Sequence, residues 1–234
     1  MATTTQPFVS PRFSQLLSFN AGYVDTAGFL ALGGLFTAHV TGNFVTLGAT
    51  LVHGTAGAGS KLAALPMFCL WVLLTRWASN ALLARQVHAQ RYLMFVKAAL
   101  LTVAAYLMVA FGPFANGDIP VAFVAGMFMV AAMAMQNAMQ RIHTGFLPPT
   151  TLMTGTTTQV MIDVADLIKN VQGEARTAAL GRLHKMLPVM ICFTLGCLMA
   201  AVLYVWLGMW CFVLPPVVAL VSVHWVPPKP VDTP

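Results

Sequence analysis

The sequence predicts an all-α polytopic membrane helix bundle, with about six spanning helices plus two short half-helices arranged as two inverted repeats. Three observations carry that reading. Of the 234 residues, 59% are hydrophobic and only 8% are charged, whereas a soluble domain has about 25% charged residues. With a mean hydropathy of +0.80, the chain cannot cover a globule with polar surface, so the lipid bilayer is its expected solvent. The apolar runs also follow the same order twice: long, short, long with an early proline, long. Finally, each short run opens on a Thr-Gly step, Thr41-Gly42 and Thr154-Gly155. Each step follows a polar residue in apolar surroundings, Asp25 in the first copy and the pair Gln136-Asn137 in the second.

Residues 1–12 are rich in Thr and Pro and are expected to be disordered. A single membrane domain follows over residues 13–225, with repeat one at 13–112 and repeat two at 119–225. The first apolar segment, Phe13 to Phe36, carries Asn20, Asp25 and Gly33-Gly34, and lacks a cleavage site of small residues. It reads as a retained helix and not a removed signal peptide. The second, Gly42 to Val52, is too short to cross a hydrocarbon core about 30 Å thick at about 1.5 Å per residue. A small, flexible linker from Gly54 to Ser60 leads to the third segment, Leu62 to Leu83, with Pro66 near its start. A loop with Arg85, His88 and Arg91 precedes the fourth, Tyr92 to Phe111, and Pro113, Asn116, Gly117, Asp118 and Pro120 make a turn. The second half repeats this order. Val121 to Gln140 is long, and Thr154 to Ile168 is short. A basic loop holds Lys169, Arg176, Arg182, His184 and Lys185. Leu187 to Val205, with Pro188, and Leu207 to Val223 are long again, and a Pro-rich tail covers 226–234.

Charge orients the halves. Loops rich in Lys and Arg stay in the cytoplasm, and the two basic loops follow segments three and six. The Asp118 turn has neither Lys nor Arg and is expected outside. If all eight segments crossed, the two basic loops would fall on opposite sides. If the two short segments dip in and return, both lie inside, and each half has an odd number of crossings. The halves are then inverted relative to each other.

Broken helices at the meeting of inverted repeats are where secondary transporters place their substrate. A helix start offers unpaired N–H groups and a partial positive charge, and glycine admits close approach. Thr41, Gly42, Asn43, Thr154, Gly155 and Thr156 are therefore candidates for a central site, with Gln136 and Asn137 opposite. The other reading of these small residues is capping and close helix packing. Asp25, the lone acid within the long segments, is the candidate coupling carboxylate; the alternative is a structural hydrogen bond to Asn137 or to the backbone of a Thr-Gly step. Arg76 either contacts an anionic solute or snorkels towards the cytoplasm, and Lys97 is expected to snorkel. His39 is a candidate proton relay with no second histidine or carboxylate at ligand spacing. Asp163 and Asp166 are expected to pair with Lys169 or a neighbour.

Other classes are excluded. The net charge of +6 sits in short loops as a topogenic bias and does not point to nucleic acid. Cys69, Cys192, Cys197 and Cys211 lie in apolar runs without metal-ligand spacing and read as small buried hydrophobes. The sequence has no nucleophile elbow, phosphate-binding loop or zinc-protease motif, so neither an enzyme nor a cofactor or metal is expected.

Two runs carry a family resemblance. Gly22-Tyr23-Val24-Asp25-Thr26-Ala27-Gly28-Phe29 with Phe36-Thr37-Ala38-His39-Val40-Thr41-Gly42-Asn43 is one. Met135-Gln136-Asn137-Ala138 with Pro149-Thr150-Thr151-Leu152-Met153-Thr154-Gly155-Thr156 is the other. Both resemble signatures of the YoaK family, bacterial membrane proteins that share a domain of unknown function, and the resemblance runs from about Phe13 to Val223. It implies a multi-pass protein of the bacterial inner membrane and supplies no substrate or site residue. The sequence thus supports a small-solute transporter or permease, with an anion favoured by the helix starts. A non-transporting scaffold or accessory subunit is the alternative, and a lipid-directed enzyme is the weakest reading. A homodimer is compatible with six short helices.

Overall fold

The computed structural model describes residues 11–54 and 57–227, all helical elements and connections with no strand among them. Most of the N-terminal stretch and of the Pro-rich tail, and part of the Gly54–Ser60 linker, lie outside the described residues. The helices are α1 (Pro11–Ala31), α2 (Gly42–His53), α3 (Ala58–Ala84), α4 (Ala89–Phe111), α5 (Pro120–His143), α6 (Met153–Ile168), α7 (Gly173–Leu207) and α8 (Leu214–Ser222). Short 3₁₀ turns, Gly208–Val213 and Val223–Trp225, flank α8. Among the described residues, four helical runs are long and apolar enough to cross a membrane: Ala58–Ala84, Ala89–Phe111, Pro120–His143 and Gly173–Trp225.

Two ends of the bundle can be followed through contacts. At one end Asp118 Oδ1 accepts from the Ser60 amide at 2.8 Å. There a Cβ built on Gly57 would lie 3.6 Å from the Gly33 carbonyl oxygen and 3.9 Å from the Gly117 nitrogen. At the other, basic end His143 Nε2 lies 3.0 Å from Ser79 Oγ, and His88 Nε2 lies 3.0 Å from the Pro227 carbonyl. Helix α1 runs towards the Asp118 end. Gly33 and Gly34, at φ +65° and +86°, reverse the chain in a conformation that only glycine adopts readily. The chain then returns to the level of Asp25, and α2 climbs back to Gly57. The second excursion mirrors this from the basic end. After His143 the chain turns back to the level of Gln136, and α6 descends again.

The core is built on α1, α4 and α5. Tyr23, Leu32, Met94, Met108, Met133 and Met135 are all fully buried. Helix α1 packs most extensively on α7. Ser18 Oγ donates to the Val189 carbonyl at 2.8 Å. A Cβ on Gly22 would strike the Phe193 carbonyl, and one on Gly196 the Phe19 carbonyl. The matched order of these contacts makes α1 and α7 parallel. Small residues let membrane helices approach this closely, where dispersion can replace the missing hydrophobic drive.

Several sequence expectations change. The basic stretch with Arg176, Arg182, His184 and Lys185 is not a loop, because α7 begins at Gly173. Hydropathy marks the lipid-matched part of a helix, and the polar turns before Pro188 continue it beyond. The last apolar segment is broken into 3₁₀ turns around α8, where Pro215 and Pro216 remove backbone donors. Of the cysteines, Cys211 alone is buried, Cys69 is exposed, and all four are free.

Candidate functional site

Asp25 sits on α1 with 4% of its surface exposed, facing the chain that returns after the Gly33-Gly34 reversal. Its Oδ1 accepts from the backbone N–H groups of Thr37 and Ala38, both at 2.7 Å. Its Oδ2 lies 2.6 Å from His39 Nδ1. The direction of this bond follows the tautomer of the ring: Nδ1 donates when it carries the proton, since a carboxylate only accepts. The sequence reading gave His39 no carboxylate partner. The partner stands fourteen residues away, across a chain reversal that spacing along one helix cannot reveal. The His39 ring also packs edge-on against Phe193 at 5.5 Å and lies near the Thr151 backbone of the second excursion.

Asn43 pins the same loop, accepting from the Phe36 amide and donating to the Phe36 carbonyl, each at 2.8 Å. Thr41 precedes α2 without a side-chain cap. The amides of Gly42, Asn43 and Phe44 already donate to the carbonyls of His39, Val40 and Thr41. The start of α2 therefore offers a dipole and few free donors.

The second excursion is held by amides. Thr151 Oγ1 donates to Asn137 Oδ1 at 2.6 Å, and Gln136 Nε2 donates to Thr150 Oγ1 at 2.9 Å and to the Leu17 carbonyl at 3.0 Å. Gln140 Oε1 accepts from the Thr150 amide at 3.1 Å. Behind them lies Lys97. It does not snorkel: it is fully buried, and its Nζ donates to Gln136 Oε1. Its place eight residues into α4 puts it at the depth of the second excursion, away from the helix end that would let it reach water. Asn20 on α1 is also fully buried, and neither of its amide atoms has a partner.

Not all candidates converge. Helix α6 turns Thr156, Val160 and Asp163 inwards, a spacing of one helical face. Thr154 and Gly155 consequently face outwards, and a Cβ on Gly155 would meet nothing within 4 Å. The Thr156 hydroxyl donates to the Leu152 carbonyl at 3.0 Å and does not cap the helix. Asp163 pairs with Arg182 on α7, at 2.6 Å from Nη2, and not with Lys169.

Between the two excursions lies a cavity of about 500 Å³. His39, Thr41 and Leu152 line one wall, Asn137 and Arg141 of α5 another, and Arg76 of α3 a third. Asp25, Asn43 and Gln136 stand behind this wall and hold it. Among the described residues no group of three metal-ligating side chains occurs. The arrangement can bind a solute by hydrogen bonds and positive charge, and it can move a proton along the Asp25–His39 contact.

No curated protein and no solved structure shows significant similarity to the chain. One family does match, over residues 13–225, which is the whole of the apolar domain and includes both signature runs, and the chain belongs to it: the family described as protein of unknown function (DUF1275).

Proposed function

We propose that the protein is a small-solute transporter of the bacterial inner membrane, built from two inverted repeats of three crossing helices and one re-entrant half-helix each. The crossings would be α1, α3, α4, α5, α7 and the run from Gly208 to Trp225. The half-helices α2 and α6 would enter from opposite faces. One observation carries the reading: two excursions from opposite ends of the bundle meet at a single cavity lined by His39, Thr41, Asn137 and Leu152. Irregular backbone at membrane depth is tolerated where it is buried in protein or lines a water-filled cavity, and such breaks are where transporters bind their cargo. Asp25 serves as the coupling carboxylate, through His39. No enzymatic step, cofactor or nucleic acid enters this reading.

Single-cysteine labelling in a background without the native cysteines tests the topology. Probes at Gly54 and Ala115 are expected to label from outside, and probes at Gln86 and Gln172 from the cytoplasm. Gly54 and Ala115 labelling from opposite faces would overturn the re-entrant arrangement and the site built on it. Solute uptake into proteoliposomes tests the function. Asp25→Asn is expected to fold and to lose proton-dependent uptake, whereas unchanged uptake would sink the coupling role.

The exposed start of α6 favours one further feature, a homodimer. A helix that starts at mid-bilayer with Thr154 and Gly155 facing outwards presents polar backbone that lipid does not satisfy. A second copy packed on this face would cover it. Crosslinking through a cysteine at Thr158 checks it, and a strictly monomeric protein in native membranes refutes it.

A further inference from the structure

The cavity between the two excursions has an uneven chemistry. Arg76 and Arg141 both line it, and neither has an ion-pair partner among the described residues; the pairs formed there are His39–Asp25 and Arg182–Asp163. Both side chains are exposed, and each guanidinium presents the planar donor fork that reads a carboxylate or a phosphate. Apart from the polar groups His39, Thr41 and Asn137, the rest of the wall is apolar, with Leu65, Phe68 and Val72 of α3 and Ile142 of α5 on it. The volume of about 500 Å³ falls in the range that takes an organic molecule of some size. An inorganic anion would leave most of that wall wet. A neutral apolar molecule would leave both arginines without an anion.

Resting on the transporter reading above, we infer that the cavity takes an amphipathic organic anion, a carboxylate with an apolar body. The carboxylate would meet Arg76 and Arg141. The hydrocarbon would lie along Phe68, Val72 and Ile142. Both arginines belong to the basic half of the bundle: α3 and α5 end there, and His143, two residues after Arg141, bonds Ser79 at that end. The anion is therefore loaded from the cytoplasmic side. The same chemistry occurs in a free short-chain carboxylate and in a fatty acid drawn from the bilayer, and chain length separates the two sources.

The test uses the full chain in phosphatidylcholine nanodiscs and radiolabelled hexanoate, with acetate, octanoate, palmitate, hexanamide and inorganic phosphate as competitors. Hexanoate and octanoate are expected to bind. Acetate, which lacks four methylenes, is expected to bind at least about tenfold more weakly. Hexanamide, without charge, and each of Arg76→Gln and Arg141→Gln are expected to lose about tenfold or more, while Arg76→Lys recovers part of the loss. Val72→Trp, which fills the apolar wall and keeps both arginines, is expected to abolish hexanoate binding. It keeps the test decisive if an arginine variant fails to fold. Competition by palmitate alone supports the ligand class and assigns its source to the bilayer. Competition by phosphate or acetate as strong as that by hexanoate, or by hexanamide equal to hexanoate, overturns the inference. Flux is read separately in proteoliposomes. Hexanoate that binds and is not moved sinks the transporter reading and leaves the ligand class standing. Flux of another solute without hexanoate binding does the reverse.

Discussion

The two excursions solve one problem in two chemistries. Each must hold a non-helical chain at the level of a helix that has already passed. In the first, a carboxylate does it: Asp25 takes the amides of Thr37 and Ala38 and faces the His39 ring fourteen positions on. In the second, amides do it at the same offset: Asn137 takes the Thr151 hydroxyl and Gln136 bonds Thr150, each fourteen positions on. In the first excursion the ionisable group on the helix bonds the returning chain directly, whereas in the second a lysine, Lys97, stands behind the bonding amide of Gln136. A carboxylate–imidazole pair beside the cavity and an amide network backed by a buried lysine are two different ways of holding the same kind of backbone break.

Substitution can break that contrast, and the largest effect is expected at Asp25. Asp25→Ala leaves two buried amides and the His39 ring without their acceptor. Leaving a buried donor without its acceptor costs about 1–3 kcal/mol for each amide, visible as loss of monodisperse protein in detergent. Asp25→Asn keeps an oxygen for the amides, so its yield should approach that of the native chain. If it collapses like the alanine variant, the charge is structural and the two excursions do the same job. Next comes Lys97→Met, which orphans the buried Gln136 oxygen at about 1–3 kcal/mol. The double variant with Gln136→Leu should recover part of this, and additive losses in thermal unfolding would show that the two side chains do not act together. Asn137→Leu removes two neutral hydrogen bonds, the one from Thr151 and the one to the Met133 carbonyl, and is expected to cost about 0.5–1.5 kcal/mol for each. A loss as large as that of Asp25→Ala would erase the distinction. The smallest effect belongs to Thr154→Val on the outward face of α6, expected within about 0.5 kcal/mol and without change in solute uptake. A loss of uptake there would return Thr154 to the central site.

The sequence made the order of elements legible because hydropathy and helix length are local. It also singled out Asp25, Gln136 and Asn137, since polar groups in apolar runs stand out wherever the fold puts them. The rest needed three dimensions. The His39–Asp25 contact crosses a reversal. The burial of Lys97 depends on how α4 and α5 face each other, and its nearness in sequence to the start of α4 pointed the wrong way. Thr154 and Gly155 belong to a conspicuous motif, but the rotation of α6 is set by Thr156, Val160 and Asp163, and so the motif faces outwards. The start of α7 was hidden because its first turns, with Arg176 and Arg182, have no hydropathy signal.

The close crossing of α1 and α7 sets an order of events at the translocon. Helix α1 is not among the apolar runs suited to cross a membrane by length and composition, and its main neighbour is nearly the last helix to be synthesised. Its carboxylate need not wait: every donor to Asp25 lies within fourteen residues downstream, so the nascent chain carries the partners with it. The close contact at Gly22 does wait. Until Phe193 and Gly196 emerge, the backbone of α1 at that contact has only lipid or the insertion machinery against it. A chain stopped before α7 would therefore hold its first excursion folded around Asp25 and still leave α1 poorly anchored, a natural handle for membrane quality control.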